Sequence, residues 1–307
     1  MFRINKTTFA SLALAGAFIT VFTACSDDEG STDLTAPVIE VLDPEWGEAF
    51  AAGEHIHFDA NLSDNDGLAS FQVDIHNNFD GHSHGRSTAH DPSLVKFSYL
   101  ESFDVPSGAK NYNAHLHDDI EIVENALAGP YHLIVNAIDI NGNSTSFQDG
   151  STVEIEILIT NNSMAIVEVT NLHHGELELE IDEAFEVNGT ISDLVPAAGE
   201  YAGIDHVEIM LGEEGEHGGH GHSHGRIADD DHMLIDVEYE HEDLEEFMED
   251  GVINLAMLFN DINFVLTQEM ADELEEEDVD HLELTIKVKD NQGNYTIQRI
   301  PVHVHFD

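Results

Sequence analysis

The chain is predicted to be all-β, two antiparallel β-sandwiches in tandem, on three observations. Short runs alternate apolar and polar residues with period two. Asn, Asp and Gly separate those runs, and one unusual string occurs twice. In the first half Ile56, Phe58 and Ala60 alternate with His55, His57 and Asp59. Phe71, Val73 and Ile75 alternate with Gln72, Asp74 and His76. Tyr131, Leu133, Val135 and Ala137 alternate with His132, Ile134 and Asn136, and Val153, Ile155 and Ile157 follow. Alternation of this kind marks sheets with one buried face. Several such strands within about 125 residues indicate a sandwich.

The repeated string is Gly-His-Ser-His-Gly-Arg, at Gly81–Arg86 and again at Gly221–Arg226, an offset of 140. Beyond the leader the chain has only Arg86, Arg226 and Arg299, and two of these close the string. A tandem duplication follows, with a first domain at 36–161 and a second at 162–307. The frame is kept elsewhere. Ile204–Leu211 answers Leu68–Ile75, Tyr239 answers Tyr99, and Leu282, Leu284, Ile286 and Val288 run into Asp290-Asn291-Gln292-Gly293-Asn294 as Ala137 runs into Asn143. A strand ending in Asp-x-x-Gly-Asn looks like the last hairpin of bacterial Ig-like domains. Thr267–Glu276, an insertion in the second copy, is predicted to be a short helix with Thr267 as N-cap and Met270, Ala271 and Leu274 on one face.

Residues 1–24 have the form of a lipoprotein signal peptide. Arg3 and Lys6 supply the positive region, Leu12–Val21 the short apolar region, and Phe22-Thr23-Ala24-Cys25 resembles a lipobox. That apolar run is too short for a spanning stop-transfer helix. Cys25 is the expected lipidation site and the sole cysteine, so an intramolecular disulfide and a thiolate metal site are excluded. Residues 25–35 form an acidic tether, and Ser26-Asp27-Asp28-Glu29 resembles the export signal of surface lipoproteins in Bacteroidetes. The expected location is the outer membrane, lipid-anchored and surface-exposed.

About 282 residues remain beyond Cys25, enough for two ordinary domains. Acidic residues number 63 against 9 basic ones, a net charge of −54. Nucleic acid is excluded as a partner, because a duplex needs Lys and Arg to displace its counterions. Contact with an anionic membrane is left to the lipid alone. The field concentrates cations instead, although solubility in a salty medium demands no more than the same charge.

Histidine chemistry is the most specific signal. On a strand, His115 and His117 point to one face with Cα atoms about 7 Å apart, and two imidazoles so placed can share a cation. His82 and His84, in a glycine-flanked loop, are the expected second pair, with His76 a further ligand and Asp80 or His132 as substitutes or orienting groups. In the second copy His217, His220, His222 and His224 lie in a Gly/Glu-rich stretch, a weaker loop site that His232 or His241 would complete. The stretch matching His115 and His117, Val252–Val265, has no histidine. Imidazole with occasional carboxylate suits Zn2+, then other divalent transition metals. Ligation requires neutral imidazole, so binding is expected to fail at mildly acid pH. Ca2+ is the second cofactor candidate, at Asp64-Asn65-Asp66-Gly67 and Asp139-Ile140-Asn141-Gly142-Asn143, although tight turns use the same residues and the turn reading is preferred. His55, His57, His303 and His305 are expected to face outward on strands, and His173 and His174 to lie in a loop.

With Val73–His84, His115-x-His117, Gly129-Pro130-Tyr131-His132 and Asp139-x-x-Gly142-Asn143, the first copy resembles the DUF4625 family, Bacteroidetes lipoproteins with an expected Ig-like sandwich. The resemblance covers residues 36–160 well and the second copy more weakly. It implies fold and location and carries no activity. No catalytic set is visible, so an enzyme is not expected. Asp118 and Asp119 beside His117 are the one opening for a zinc hydrolase. The expected function is capture or buffering of a divalent metal, zinc foremost, for delivery to an outer-membrane transporter. The alternative is a structural or adhesive Ig-like surface module.

Overall fold

A computed structural model describes residues 33–79, 91, 93–193, 203–213, 233–249, 251–277, 279 and 281–306. The leader, Cys25, His82, His84, His217, His220, His222 and His224 lie outside the described residues.

In the first copy the strands are β1 (Val38–Asp43), β2 (Ala49–Ala51), β3 (His55–Ser63), β4 (Leu68–Asn77), β5 (Ser98–Asp104), β6 (Asn111–Glu121), β7 (Gly129–Asp139) and β8 (Val153–Thr160). They form a three-stranded sheet, β1-β3-β6, and a five-stranded sheet, β2-β8-β7-β4-β5. The apolar residues of each alternation meet between the sheets: Ile56, Phe58, Ala60 and Leu62 from β3, Phe71, Val73 and Ile75 from β4, and Tyr131, Leu133 and Val135 from β7 are buried in one core. Chain order and pairing are those of an Ig-like sandwich. Tyr131, near the start of β7, donates its hydroxyl hydrogen bond to the Leu127 carbonyl (2.9 Å) and accepts one from the Phe97 N–H (3.2 Å), the corner that stabilises this topology. At Gly129 (φ +144°) a Cβ would sit 2.6 Å from the Phe79 ring, so only glycine fits.

The second copy holds β9 (Ile166–Val169), β10 (Leu177–Glu180), β11 (Gly189–Ser192), β12 (Ile204–Glu213), β13 (Ile235–Glu240), β14 (Met248–Glu249), β15 (Val252–Asn254), β16 (His281–Asp290) and β17 (Tyr295–His305). These form a five-stranded sheet, β10-β17-β16-β12-β13, and a four-stranded one, β14-β15-β11-β9, over a second core. Helices α1 (His241–Leu244), α2 (Leu255–Ile262) and α3 (Gln268–Glu276) are inserted. The α3 helix is the one expected from the sequence: the Thr267 hydroxyl accepts from the Met270 N–H (3.4 Å), and Ala271 and Leu274 are buried. Among the described residues no helix is long and apolar enough to cross a membrane.

The copies are joined by specific contacts. Tyr295, from the second copy, packs its ring against Phe79 (centroids 5.1 Å) within the first core. The Ala128 N–H donates to Asn294 Oδ1 (3.0 Å) and the Tyr295 N–H to the Ala128 carbonyl (2.9 Å). Arg299 pairs with the buried Glu156 at 2.5 Å.

Candidate metal centre

The outer face of β1-β3-β6 carries the densest group of donors. Strand alternation turns His57 and Asp59 of β3 and His115 of β6 away from the core, since Ile56, Phe58, Ala114 and Leu116 point inward. Asp59 and His115 are direct cross-strand partners. Two irregularities then bring in further side chains. Ile56 pairs with Ile120 and Phe58 with Leu116, so His57 alone faces the three residues His117, Asp118 and Asp119. On β1, Val41 pairs with Ala60 but Asp43 with Asp59, so Leu42 is extra and Asp43 takes the outer-face position beside His57. Bulges of this kind re-aim side chains.

The result is two further imidazoles and two carboxylates around His57. Its Nδ1 lies 2.9 Å from Asp43 Oδ2. Its Nε2 is buried, 3.7 Å from Asp59 Oδ2, and has no hydrogen-bond partner among the described residues. The His115 and His117 rings pack edge-on against it, at centroid distances of 5.1 and 5.0 Å. His115 is bonded in turn through Nδ1 to Asp59 Oδ1. One donor atom each from His57, Asp59 and His115 falls within 4.8 Å of the others. Ligands at about 2.0–2.1 Å from a shared zinc would lie about 3.4 Å apart in a tetrahedron, so small side-chain rotations suffice. Asp43 on Nδ1 is the carboxylate–histidine arrangement that fixes an imidazole with the other nitrogen free to ligate.

The predicted ligands are separated by this geometry. His115 and His117 share one face, as expected. His76 and its substitute His132 lie on β4 and β7, in the other sheet and on its side away from the core, with His132 itself buried, so neither reaches the same ion. The grouping of His76 with His115 and His117 is therefore corrected: alternation shows that a side chain faces outward, not which sheet it leaves. His76 and His132 are register partners with rings 6.0 Å apart, His76 beside Asp74 (3.1 Å) and His132 beside Glu154 (3.1 Å). His57 is the residue that sequence reasoning passed over, as an ordinary outward position. Its only signal was that β3 and β6 both alternate histidine outward.

In the second copy β11 pairs with β15 through Thr190↔Asn254, as Asn61 pairs with Asn113 in the first. Continuing that register places Ala256 and Leu258 at the positions of His115 and His117. There the chain is already helical, capped by Asn254, whose Oδ1 accepts from the Ala256 N–H (3.0 Å). The strand that would carry the pair is thus replaced by α2. His241 lies at the start of α1, with Nδ1 3.1 Å from the Ile204 carbonyl. A different histidine group does form: His173 (3.0 Å) and His305 both bond Glu178, and His281 and His303 are register partners.

Fold and donor set define an Ig-like β-sandwich protein whose first copy carries a histidine–aspartate cluster on an outer face. Residues 23–159 match the family model described as Domain of unknown function (DUF4625), so the resemblance expected from the motifs holds for the first copy. No curated protein matches the chain. Solved structures with similarity include the fibronectin(III)-like modules of Clostridium thermocellum CbhA, at 14% identity, covering 87% of this chain and 94% of that one, TM-score 0.24. A Salmonella alpha-2-macroglobulin mutant is 12% identical, covering 90% and 15%, TM-score 0.33. Dimeric latent PorU from Porphyromonas gingivalis is 12% identical, covering 91% and 21%, TM-score 0.27. The all-β assignment rests on the strand order itself.

Proposed function

We propose that this protein is a lipid-anchored surface module that captures a divalent transition metal, zinc foremost, on the outer face of β1-β3-β6. The ligands are His57 Nε2, an Asp59 oxygen, and His115 or His117, with Asp43 orienting His57. One observation carries the reading: a buried His57 Nε2 without a hydrogen-bond partner among the described residues, while Nδ1 of the same ring is held by a carboxylate. A buried polar atom without a partner is costly, and a metal ion is the partner this donor set suits. Anchoring through Cys25 would hold the site at the outer membrane, where the ion is buffered or passed to a transporter. The His-rich segments 81–86 and 217–224 serve as looser accessory ligands.

The test is a Zn2+ competition titration of residues 26–307 at pH 7.4 against a chromophoric chelator. The parent is expected to hold one ion tightly, and His57→Ala to bind it at least tenfold more weakly with an unchanged circular dichroism spectrum. His76→Ala should match the parent. Equal affinity in parent and His57→Ala would overturn the assignment and favour a structural or adhesive module with diffuse metal binding.

A further inference from the structure

The two aspartate turns noted in the sequence meet at one pole of the first sandwich. Asp64 follows β3, Asp139 ends β7, and Asp33, at the start of the described chain, joins them. One carboxylate oxygen from each lies within 4.8 Å of the others. Turn formation explains part of this. Asp64 Oδ1 accepts from the N–H groups of Asp66 (2.8 Å) and Gly67 (2.6 Å). Asp139 Oδ1 accepts from Asn141 (2.9 Å) and Asn143 (2.7 Å), and Oδ2 from Asn143 Nδ2 (2.7 Å). Turn formation does not explain Asp64 Oδ2. Asp64 is 9% exposed, and that oxygen is buried with no hydrogen-bond donor among the described residues. A buried carboxylate oxygen without a donor, beside two more carboxylates, is unfavourable unless a cation is present.

The second copy supplies an internal comparison. Ser192-Asp193 and Asp290-x-x-Gly293-Asn294 repeat Ser63-Asp64 and Asp139-x-x-Gly142-Asn143. Asn161-x-Ser163 repeats Asp33-x-Thr35, down to the side-chain oxygen that accepts from the N–H two residues on (2.9 and 3.0 Å). One carboxylate has thus become an amide. Asn161 Nδ2 donates to Asn294 Oδ1 (2.7 Å) and to the Ala126 carbonyl (3.0 Å), so the second copy has two carboxylates at this pole where the first has three.

We propose that Asp33, Asp64 and Asp139 bind one Ca2+ at this pole, with water and neighbouring turn oxygens completing the shell. The donors are all oxygen, as a hard cation requires, and Ca2+ takes six to eight of them at about 2.3–2.6 Å. Asp33 lies in the segment that leads into β1, so the ion clamps that segment to the two turns. This site is separate from the histidine cluster in residues and in ligand chemistry.

Thermal unfolding and equilibrium dialysis of residues 26–307, with 1 mM CaCl2 or 1 mM MgCl2 in 150 mM KCl, test it. The parent is expected to bind one Ca2+ per chain and to gain several degrees in Tm with Ca2+, and little with Mg2+. Asp33→Asn, which copies the second domain, should bind Ca2+ at least tenfold more weakly and lose the Tm gain, with an unchanged Tm in the absence of Ca2+. His57→Ala should keep the full response. A parent without a Ca2+ response, or an Asp33→Asn variant that responds like the parent, would overturn the proposal. The second result would assign the effect to the diffuse acidic field.

Discussion

The two nitrogens of the His57 ring have different partners, and that asymmetry underlies the proposed metal chemistry. Asp43 bonds Nδ1, which settles the tautomer and leaves the Nε2 lone pair toward Asp59 and the two imidazoles of β6. Such orienting carboxylates are worth roughly 10- to 100-fold in metal affinity. Asp43→Asn is therefore expected to weaken Zn2+ binding by about that factor. Its effect on stability should be small, because an ion pair one-third exposed contributes at most about 1 kcal/mol. Competition titration and urea unfolding of the same preparation check both halves. Unchanged zinc affinity would mean that Asp43 does not position the ring.

At the scale of the elements, strands were the legible part of the sequence and side-chain placement was not. Alternation at 55–60, 71–75, 131–137 and 282–288 is enough to place β3, β4, β7 and β16, because each has one face in a core. It also places His115 and His117 together, since both lie on one strand. It cannot tell the outer face of β4 from that of β6, because both read as polar positions between apolar ones. Nor does it show that Leu42 is an extra residue on β1, or that His57 faces three residues of β6. Those irregularities come from cross-strand register, which is a tertiary property. In the second copy the loss of the histidine pair is visible in sequence, but its cause is not. Asn254 caps a helix at the position where Asn113 continues a strand, and local propensity there yields to packing of Leu255, Leu258 and Phe259 into the core.

For the molecule as a whole, the duplication produced two cores and only one histidine–aspartate cluster of this kind among the described residues. The second copy contributes to the first by packing: Tyr295 completes its core, and Arg299 compensates the buried Glu156. Arg299 stands in a chain of 63 acidic residues and 9 basic ones, so cations to replace it are few. Arg299→Met removes the cation shared by Glu156, whose side chain is 3% exposed, and Glu283, and is expected to destabilise the chain by about 3–5 kcal/mol. Adding Glu156→Gln should recover part of that loss, the rest belonging to Glu283. Urea unfolding of the single and double variants checks it, and a loss below about 1 kcal/mol in the single variant would show that the contact is incidental.

Diffraction from crystals grown with one equivalent of Zn2+, collected on both sides of the zinc absorption edge, tests the central claim most directly. An anomalous peak is expected about 2.1 Å from His57 Nε2, shared with Asp59 and with His115 or His117. Peaks confined to segments 81–86 and 217–224 or to scattered carboxylates, with none at His57, would contradict it.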